Sequence, residues 1–233
     1  MMIHIHRLSL ASLVTILSIG SAGLASGDNT TSAPGEASEQ ARRARARQVF
    51  GLGRTAMKAG RYAEAAALFE DSQTLDPAWG TLLNLAFCDE KLGKTATAWG
   101  LYLDAAPAAR AERQDKWADD AEARAKRLEG SILHVVVRVD RAPDERAVEV
   151  LLDETPFPES LWGRPTAVDP GLHALRAKAP ARRPWSTTFT VDRGGGVGDE
   201  VATITVPILE PAEVQIVPPT LPRREDIDGR SPG

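Results

Sequence analysis

A pattern that recurs at a spacing of 33 residues, from Leu52 to Leu85, constrains the fold of this chain more than any other feature. At each recurrence the residues follow one order: a small residue, a turn glycine, a second small residue and an aromatic residue. The first stretch holds Leu52, Gly53, Gly60, Ala65, Phe69, Asp76 and Pro77; the second holds Leu85, Ala86, Gly93, Ala98, Tyr102 and Ala105. A repeat of this length indicates helical hairpins that stack on one another.

Each recurring residue type suits a particular place in such a hairpin. Gly60 and Gly93 fall where the first helix must end and turn, which favours a residue that tolerates positive φ. Small residues allow two helices to cross closely, and Phe69 and Tyr102 are expected to fill the hollow beside each crossing. Pro77 ends the first hairpin, because proline cannot continue a helix.

These residues together resemble the tetratricopeptide repeat. The resemblance implies that Gly53, Ala65, Ala86 and Ala98 lie at helix crossings. The second repeat departs from the family pattern, since Arg110 stands where a closing proline is expected. Val49 and Leu82 stand where the family has an early tryptophan.

Two hairpins are fewer than the three or so repeats that usually form a stable array. A further amphipathic segment follows over 111–128, and its other faces are charged. Its apolar residues at helical spacing are Trp117, Ala121, Ala125 and Leu128. We expect this segment to cap the array, which then spans residues 41–129.

The resemblance also implies a binding groove lined by the first helix of each repeat. Carried over by repeat position, the groove residues are Arg47, Phe50, Arg54, Met57, Lys58, Leu83, Asn84, Phe87, Glu90 and Lys91. Asn84 falls where many such arrays bind a ligand backbone or carboxylate, and Arg54 and Lys91 favour an acidic or C-terminal ligand. The alternative is that some of these side chains contact the capping helix or the segment before the array.

After Ser131 the hydrophobic period changes from that of a helix to the alternation of a strand. The five alternating runs cover 133–139, 148–152, 172–178, 185–191 and 201–208. Short runs separated by turn residues predict a small antiparallel β-sandwich over 130–208. The expected fold class is therefore α+β, with a helical-hairpin array followed by a β-domain.

One turn within the second half carries a further resemblance. The order is Asp169-Pro170-Gly171, then His173 in a strand, then Pro184-Trp185 opening the next strand. This resembles the PEGA-type surface β-domain. With the preceding helical repeats, it resembles exported envelope proteins of soil-living bacteria over roughly residues 46–208, which implies a periplasmic or cell-surface location.

The two ends of the chain predict targeting and linker segments. Residues 1–25 have the features of a secretory signal peptide, with Arg7, an apolar core over 8–19, and small residues before a cleavage site after Ala25. The alternative, a membrane anchor, requires about 20 apolar residues. We expect a flexible leader over 26–40 and a proline-rich disordered tail over 209–233.

The composition bears on which chemistry to expect. The formal net charge of -4 argues against nucleic acid as a partner. The single cysteine, Cys88, allows no intramolecular disulfide and is expected to be a buried apolar residue, the alternative being a reactive thiol. His134 and His173 are isolated in the sequence, so we expect no metal site, no cofactor and no enzymatic activity.

Three functions are open at this point. The first is an exported adaptor or scaffold whose helical groove holds a peptide or protein partner. The second is a structural protein of the cell wall or surface whose β-domain contacts glycan. The third is an enzyme, or a regulator of one, with a site that the sequence does not reveal.

Overall fold

The computed structural model describes residues 34–143, 147–192 and 201–212. Within them, helices come first and strands follow, so the chain has an α+β fold. The helices are α1 (Pro34–Lys58), α2 (Tyr62–Leu75), α3 (Trp79–Lys91), α4 (Thr95–Ala111) and α5 (Asp115–Glu129). The strands are β1 (Leu133–Val139), β2 (Glu149–Leu152), β3 (Thr155–Pro156), β4 (Pro165–Val168), β5 (Gly171–Lys178), β6 (Trp185–Val191) and β7 (Ala202–Val206), with a 3-10 turn at Glu159–Leu161.

Each helix packs against the next one along the chain. Gly60 and Gly93 occupy the turns after α1 and α3 with φ angles of +76° and +79°. The core between the helices consists mainly of small residues around two aromatic rings. Its fully enclosed members include Ala65, Phe69, Ala86, Ala98 and Tyr102, while Pro77 is exposed in the turn that joins α2 to α3.

One close helix crossing lies between Gly53 of α1 and Phe69 of α2. A Cβ atom at Gly53 would stand 2.8 Å from Cε1 of the Phe69 ring, nearer than real Cβ atoms approach a neighbour. Phe69 has no exposed surface, so its ring has no free space to move into. This position therefore requires glycine for packing rather than for backbone conformation.

The fifth helix covers the end of the helical half by packing against α4. Its buried residues are Ala118, Ala121 and Ala125. The sequence pattern placed Trp117 on this apolar stripe, but Trp117 is 49% exposed. Alanines three and four residues apart bring α5 close to the small residues of α4, and no room remains there for an indole ring.

Helix α1 begins at Pro34, earlier than the sequence boundary of residue 41. Proline suits the first turn of a helix, where its missing N–H has no intrahelical acceptor in any case. Glu39 then forms ion pairs with Arg42 at 2.7 Å and Arg43 at 2.9 Å, which support the exposed first turns. The flexible leader predicted over 26–40 is therefore helical in its second part.

The strands form two sheets. The three-stranded sheet has the order β4-β1-β7, and the four-stranded sheet has the order β3-β2-β5-β6. Among the described strands, four of the five pairs are antiparallel, but β1 and β7 pair in parallel, from Val135 beside Ala202 to Val139 beside Val206. An entirely antiparallel arrangement was therefore wrong, and β3 and β4 lie outside the five predicted runs.

Buried side chains from both sheets pack into one apolar cluster. It includes Val137 of β1, Val150 of β2, Leu175 of β5 and Val206 of β7. Leu209 belongs to the same cluster and is 2% exposed. The chain therefore stays in the fold beyond 208, where the sequence predicted the start of a disordered tail; Pro211 forms a β-bridge with Arg182.

Several predictions concern parts of the chain outside the described residues. These are the signal peptide over 1–25, the first part of the leader over 26–33 and the tail from 213 onward. Among the described residues, no helix is both long enough and apolar enough to cross a membrane.

The crossing at Gly53 gives a prediction with a matched control in the same helix. We expect Gly53→Ala to lower the free energy of unfolding by about 1–3 kcal/mol, because the new methyl group meets the Phe69 ring. Gly51→Ala should instead raise it by up to about 1 kcal/mol, because alanine is the better helix former and a methyl group at Gly51 would meet nothing within 4 Å. Urea denaturation followed by far-UV circular dichroism measures both, and equal effects would contradict the close crossing.

Candidate functional site

The residues predicted to line a groove on α1 lie along one face of that helix. Arg47, Phe50, Arg54 and Met57 follow one another at intervals of three and four residues, and Lys58 is adjacent. The three cationic side chains are exposed, whereas Phe50 and Met57 are half-buried against the helical core. Within the described part of the chain, neither Arg47 nor Arg54 has an ion-pair partner.

This α1 face combines charge with fixed apolar contacts. Phe50 rests on the core ring of Phe69, with a centroid distance of 5.5 Å and an angle of 54° between the rings. Because Phe69 is enclosed by the helix crossing, Phe50 is supported from below. Arginines beside a supported apolar strip provide both hydrogen-bond donors and apolar area to a ligand.

The predicted groove residues on α3 make more contacts with other side chains of the protein than those on α1. Phe87 has the ring of Tyr62 edge-on at 6.1 Å, the Lys91 ammonium group at 5.3 Å and the Arg124 guanidinium group at 5.7 Å. Arg124 belongs to α5, so the capping helix reaches over this end of the predicted groove. The alternative interpretation therefore holds for Phe87: its ring contacts the capping helix.

Arg124 is also the centre of a polar network beneath this contact. Its Nε donates to Asp120 at 2.8 Å, its Nη1 lies 3.7 Å from the Glu90 carboxylate, and its guanidinium group stands over the Tyr102 ring. The Tyr102 hydroxyl donates to Glu90 at 2.8 Å. Burial, and secondly this hydrogen bond, raise the pKa of Tyr102, so the phenol stays protonated. The network fixes α5 against α3 and α4.

Asn84, predicted to bind a ligand, makes a hydrogen bond within its own helix. Its side chain is half-buried, and Nδ2 donates to the Gly80 carbonyl one helical turn earlier at 2.6 Å. One of its two N–H donors is therefore used within α3. The exposed cations of the α1 part of the predicted set, Arg47, Arg54 and Lys58, form the basic face of α1.

A second polar arrangement joins the helical half to the strands. Asp169, in the turn between β4 and β5, accepts hydrogen bonds from the backbone N–H groups of Ala96 at 2.8 Å and Thr97 at 3.0 Å. The Thr97 hydroxyl donates to the other carboxylate oxygen at 2.6 Å. Lys94, the residue that precedes α4, provides no side-chain cap. Asp169 therefore caps α4 from outside the helical half.

Asp169 is itself held by His173, which is 7% exposed. The Nε2 atom of His173 donates to the Asp169 carbonyl at 2.7 Å, since a carbonyl oxygen can only accept. The Nδ1 atom lies within hydrogen-bond distance of the Asp153 carboxylate, at 2.6 Å, and the ring stacks on Phe189 at 5.5 Å. The other Asp153 oxygen accepts from the Ala174 N–H at 2.8 Å.

A paired carboxylate and imidazole is also an arrangement used in general base catalysis, where the second ring nitrogen must face the reacting group. In this chain that nitrogen faces the Asp169 carbonyl, so the pair positions a turn. The pair was not predicted, because Asp153 and His173 are far apart along the chain. Asp153 and Glu154 form the two-residue loop between β2 and β3, with φ angles of +48° and +62°. The sequence shows only that this polar pair follows an apolar run, which indicates a turn and not its partner.

Two buried groups lie close to the start of α4. Burial raises the pKa of the Cys88 thiol to about 11, with a smaller effect of the neighbouring Asp89, so the reactive thiolate form is scarce at neutral pH. Burial also raises the pKa of Asp89, against the opposing charge of Lys94, whose ammonium group is 3.3 Å away. Cys88 has no exposed surface and packs in the helical core.

Neither the models of known protein families nor the curated protein sequences give a match to this chain.

The cap on α4 gives a second prediction. We expect Asp169→Ala to lower the free energy of unfolding by about 1–2 kcal/mol, because two backbone N–H groups lose their acceptor. The amides of Ala96 and Thr97 should then exchange with solvent faster, as measured by hydrogen–deuterium exchange. Asp169→Asn keeps an oxygen acceptor and should lose less than half as much stability; an equal loss in both variants would argue against the cap.

Proposed function

We propose that this chain is an exported, non-catalytic adaptor of the bacterial cell envelope, which uses the basic face of α1 to hold an acidic segment of a partner protein. In this proposal the helix pairs are tetratricopeptide-like hairpins and the strands form a PEGA-like β-sandwich. The observation that carries the proposal is that, within the described part of the chain, Arg47 and Arg54 are exposed without ion-pair partners beside a supported apolar strip.

The physical case rests on what such a face offers a ligand. Arg47 and Arg54 lie two helical turns apart, and each presents several N–H donors in a planar arrangement that suits carboxylates. Phe50 and Met57, half-buried on the same face, offer apolar contact. An acidic peptide with an apolar residue between its carboxylates would satisfy both features.

The proposed binding face lies at the α1 end of the predicted groove rather than at its α3 end. The α3 end is partly covered by Arg124, whose guanidinium group stands over Phe87. A ligand that follows α1 avoids the part covered by Arg124. The binding face is therefore narrower than the set of residues carried over from the repeat pattern.

A charge reversal on α1 tests the binding face. We expect Arg54→Glu to reduce capture of a specific partner from envelope extract by at least about fivefold, because attraction to an acidic segment becomes repulsion. Arg45→Glu, which makes the same change on the same helix but about half a turn around its axis from Arg54, should leave capture near that of the wild type. Equal capture by the wild type and the Arg54 variant would contradict the proposal, and so would equal losses in both variants.

Export is tested separately from binding. When the full chain is produced in a Gram-negative host, we expect the mature protein in the periplasmic or surface fraction, beginning at Ser26. Mass spectrometry of the purified protein gives its N-terminus directly. A cytoplasmic chain that retains residues 1–25 would show that these residues do not act as a signal peptide, whatever the result for the α1 face.

A further inference from the structure

The helical half also has a groove that is lined by residues of α2, α3 and α4 and by none of α1. This acidic groove runs between α2 and α4 and has a volume of about 750 Å³, within the usual range of ligand sites. Its floor is apolar and is made by Leu82, Leu85 and Leu101. Pro77 and Pro107 form parts of its walls.

Every charged side chain among the described residues that line this groove is acidic. Glu70 comes from α2, Asp104 comes from α4, and Glu112 follows the end of α4. Glu70 is exposed and has no ion-pair partner within the described part of the chain. Its charge also contributes, after burial, to raising the pKa of the nearby Asp89. The groove thus presents negative charge over an apolar floor.

The aromatic wall of the groove is held in place. Trp79 donates from Nε1 to the Glu112 carboxylate at 2.9 Å, and its ring lies 6.2 Å from that of Trp117. Trp79 therefore keeps its orientation without a ligand. A fixed indole face beside carboxylates suits a cation with an apolar stem, such as a lysine or arginine side chain.

Pro107 leaves a backbone hydrogen-bond acceptor in α4 without its usual donor. It lies inside α4 and has no N–H, so the Leu103 carbonyl one turn earlier lacks its usual helical donor. Leu103 directly precedes Asp104, which together with Pro107 lines this wall of the groove. The polar groups at this wall accept hydrogen bonds, and a cationic ligand supplies donors.

We propose that the acidic groove between α2 and α4 is a second binding site, which takes a cationic peptide segment with lysine or arginine residues between apolar residues. The apolar side chains would lie on the leucine floor, and the cationic groups would meet Glu70 and Glu112. Charge complementarity decides the class of ligand, since an acidic peptide would be repelled. The site does not depend on the basic face of α1.

The test uses a fluorescein-labelled peptide of about six residues in which lysine and leucine alternate, and the full mature chain. Fluorescence anisotropy should show saturable binding that weakens as salt is added. The same peptide with glutamate in place of lysine should not bind. Failure of the lysine peptide to bind, or equal affinity for both peptides, would overturn the proposal.

Two lysine variants on α2 localise the binding. Glu70→Lys should weaken binding of the lysine peptide by at least about fivefold, whereas Asp71→Lys, with the same charge change at an exposed neighbour outside the groove lining, should change it less than about twofold. Ala108→Phe, which fills the groove without changing charge, should also weaken binding while far-UV circular dichroism stays that of the wild type. Equal effects of the two lysine variants would show a general charge effect and overturn the site.

Two further measurements distinguish this groove from the α1 face and from an interface between copies of the chain. Arg54→Glu should leave affinity for the lysine peptide unchanged within about twofold, so that failure of the α1 face and failure of the groove can be told apart. Sedimentation at increasing protein concentration tests a second copy of the chain as the occupant. Self-association that Glu70→Lys abolishes, without binding of the lysine peptide, would overturn the peptide proposal.

Discussion

The carboxylate of Asp169 joins the start of α4 to the turn before β5, and so links the helical and strand halves of the molecule. An α-helix begins with N–H groups that have no partner within the helix, and α4 lacks a cap from the residue before it. The cap comes instead from a turn in the strand region, and His173 holds that same turn by its backbone carbonyl. The start of α4 and the turn before β5 are therefore fixed by one residue, which makes the helical and strand halves depend on each other.

The same contacts bear on how the ends of the stacked helices are covered. Stacked helical units bury their faces only against neighbours, so each end of an array needs a cover. Here α5 covers one end, with its small residues against α4 and Arg124 reaching the Glu90 carboxylate and the Phe87 ring. Asp169 completes the first turn of α4. The first four helices thereby gain contacts beyond those that they make with one another.

The sequence predicted those features that depend on neighbours along the chain. The α+β order was readable because the hydrophobic period changes near Ser131, and the turns at Gly60 and Gly93 have the positive φ that glycine accepts. Strand β3 has two residues, and β4 has four, of which the first is proline. Neither strand is therefore long enough to show an alternating pattern. The parallel pairing of β1 with β7, the Asp153–His173 pair and the acidic groove all join residues distant in sequence, and local pattern contains no information about such contacts.

The net charge of -4 conceals a separation of charge within the helical half. Exposed cations lie along α1, whereas carboxylates line the groove between α2 and α4. The distance between these surfaces is set by how closely α1 approaches α2, and that approach depends on the absence of a side chain at Gly53 beside the Phe69 ring. Phe50, on the basic face, rests on that same ring. A larger residue at the crossing would therefore displace the apolar support of one surface and the helix that forms a wall of the other, so the two surfaces share a single packing constraint.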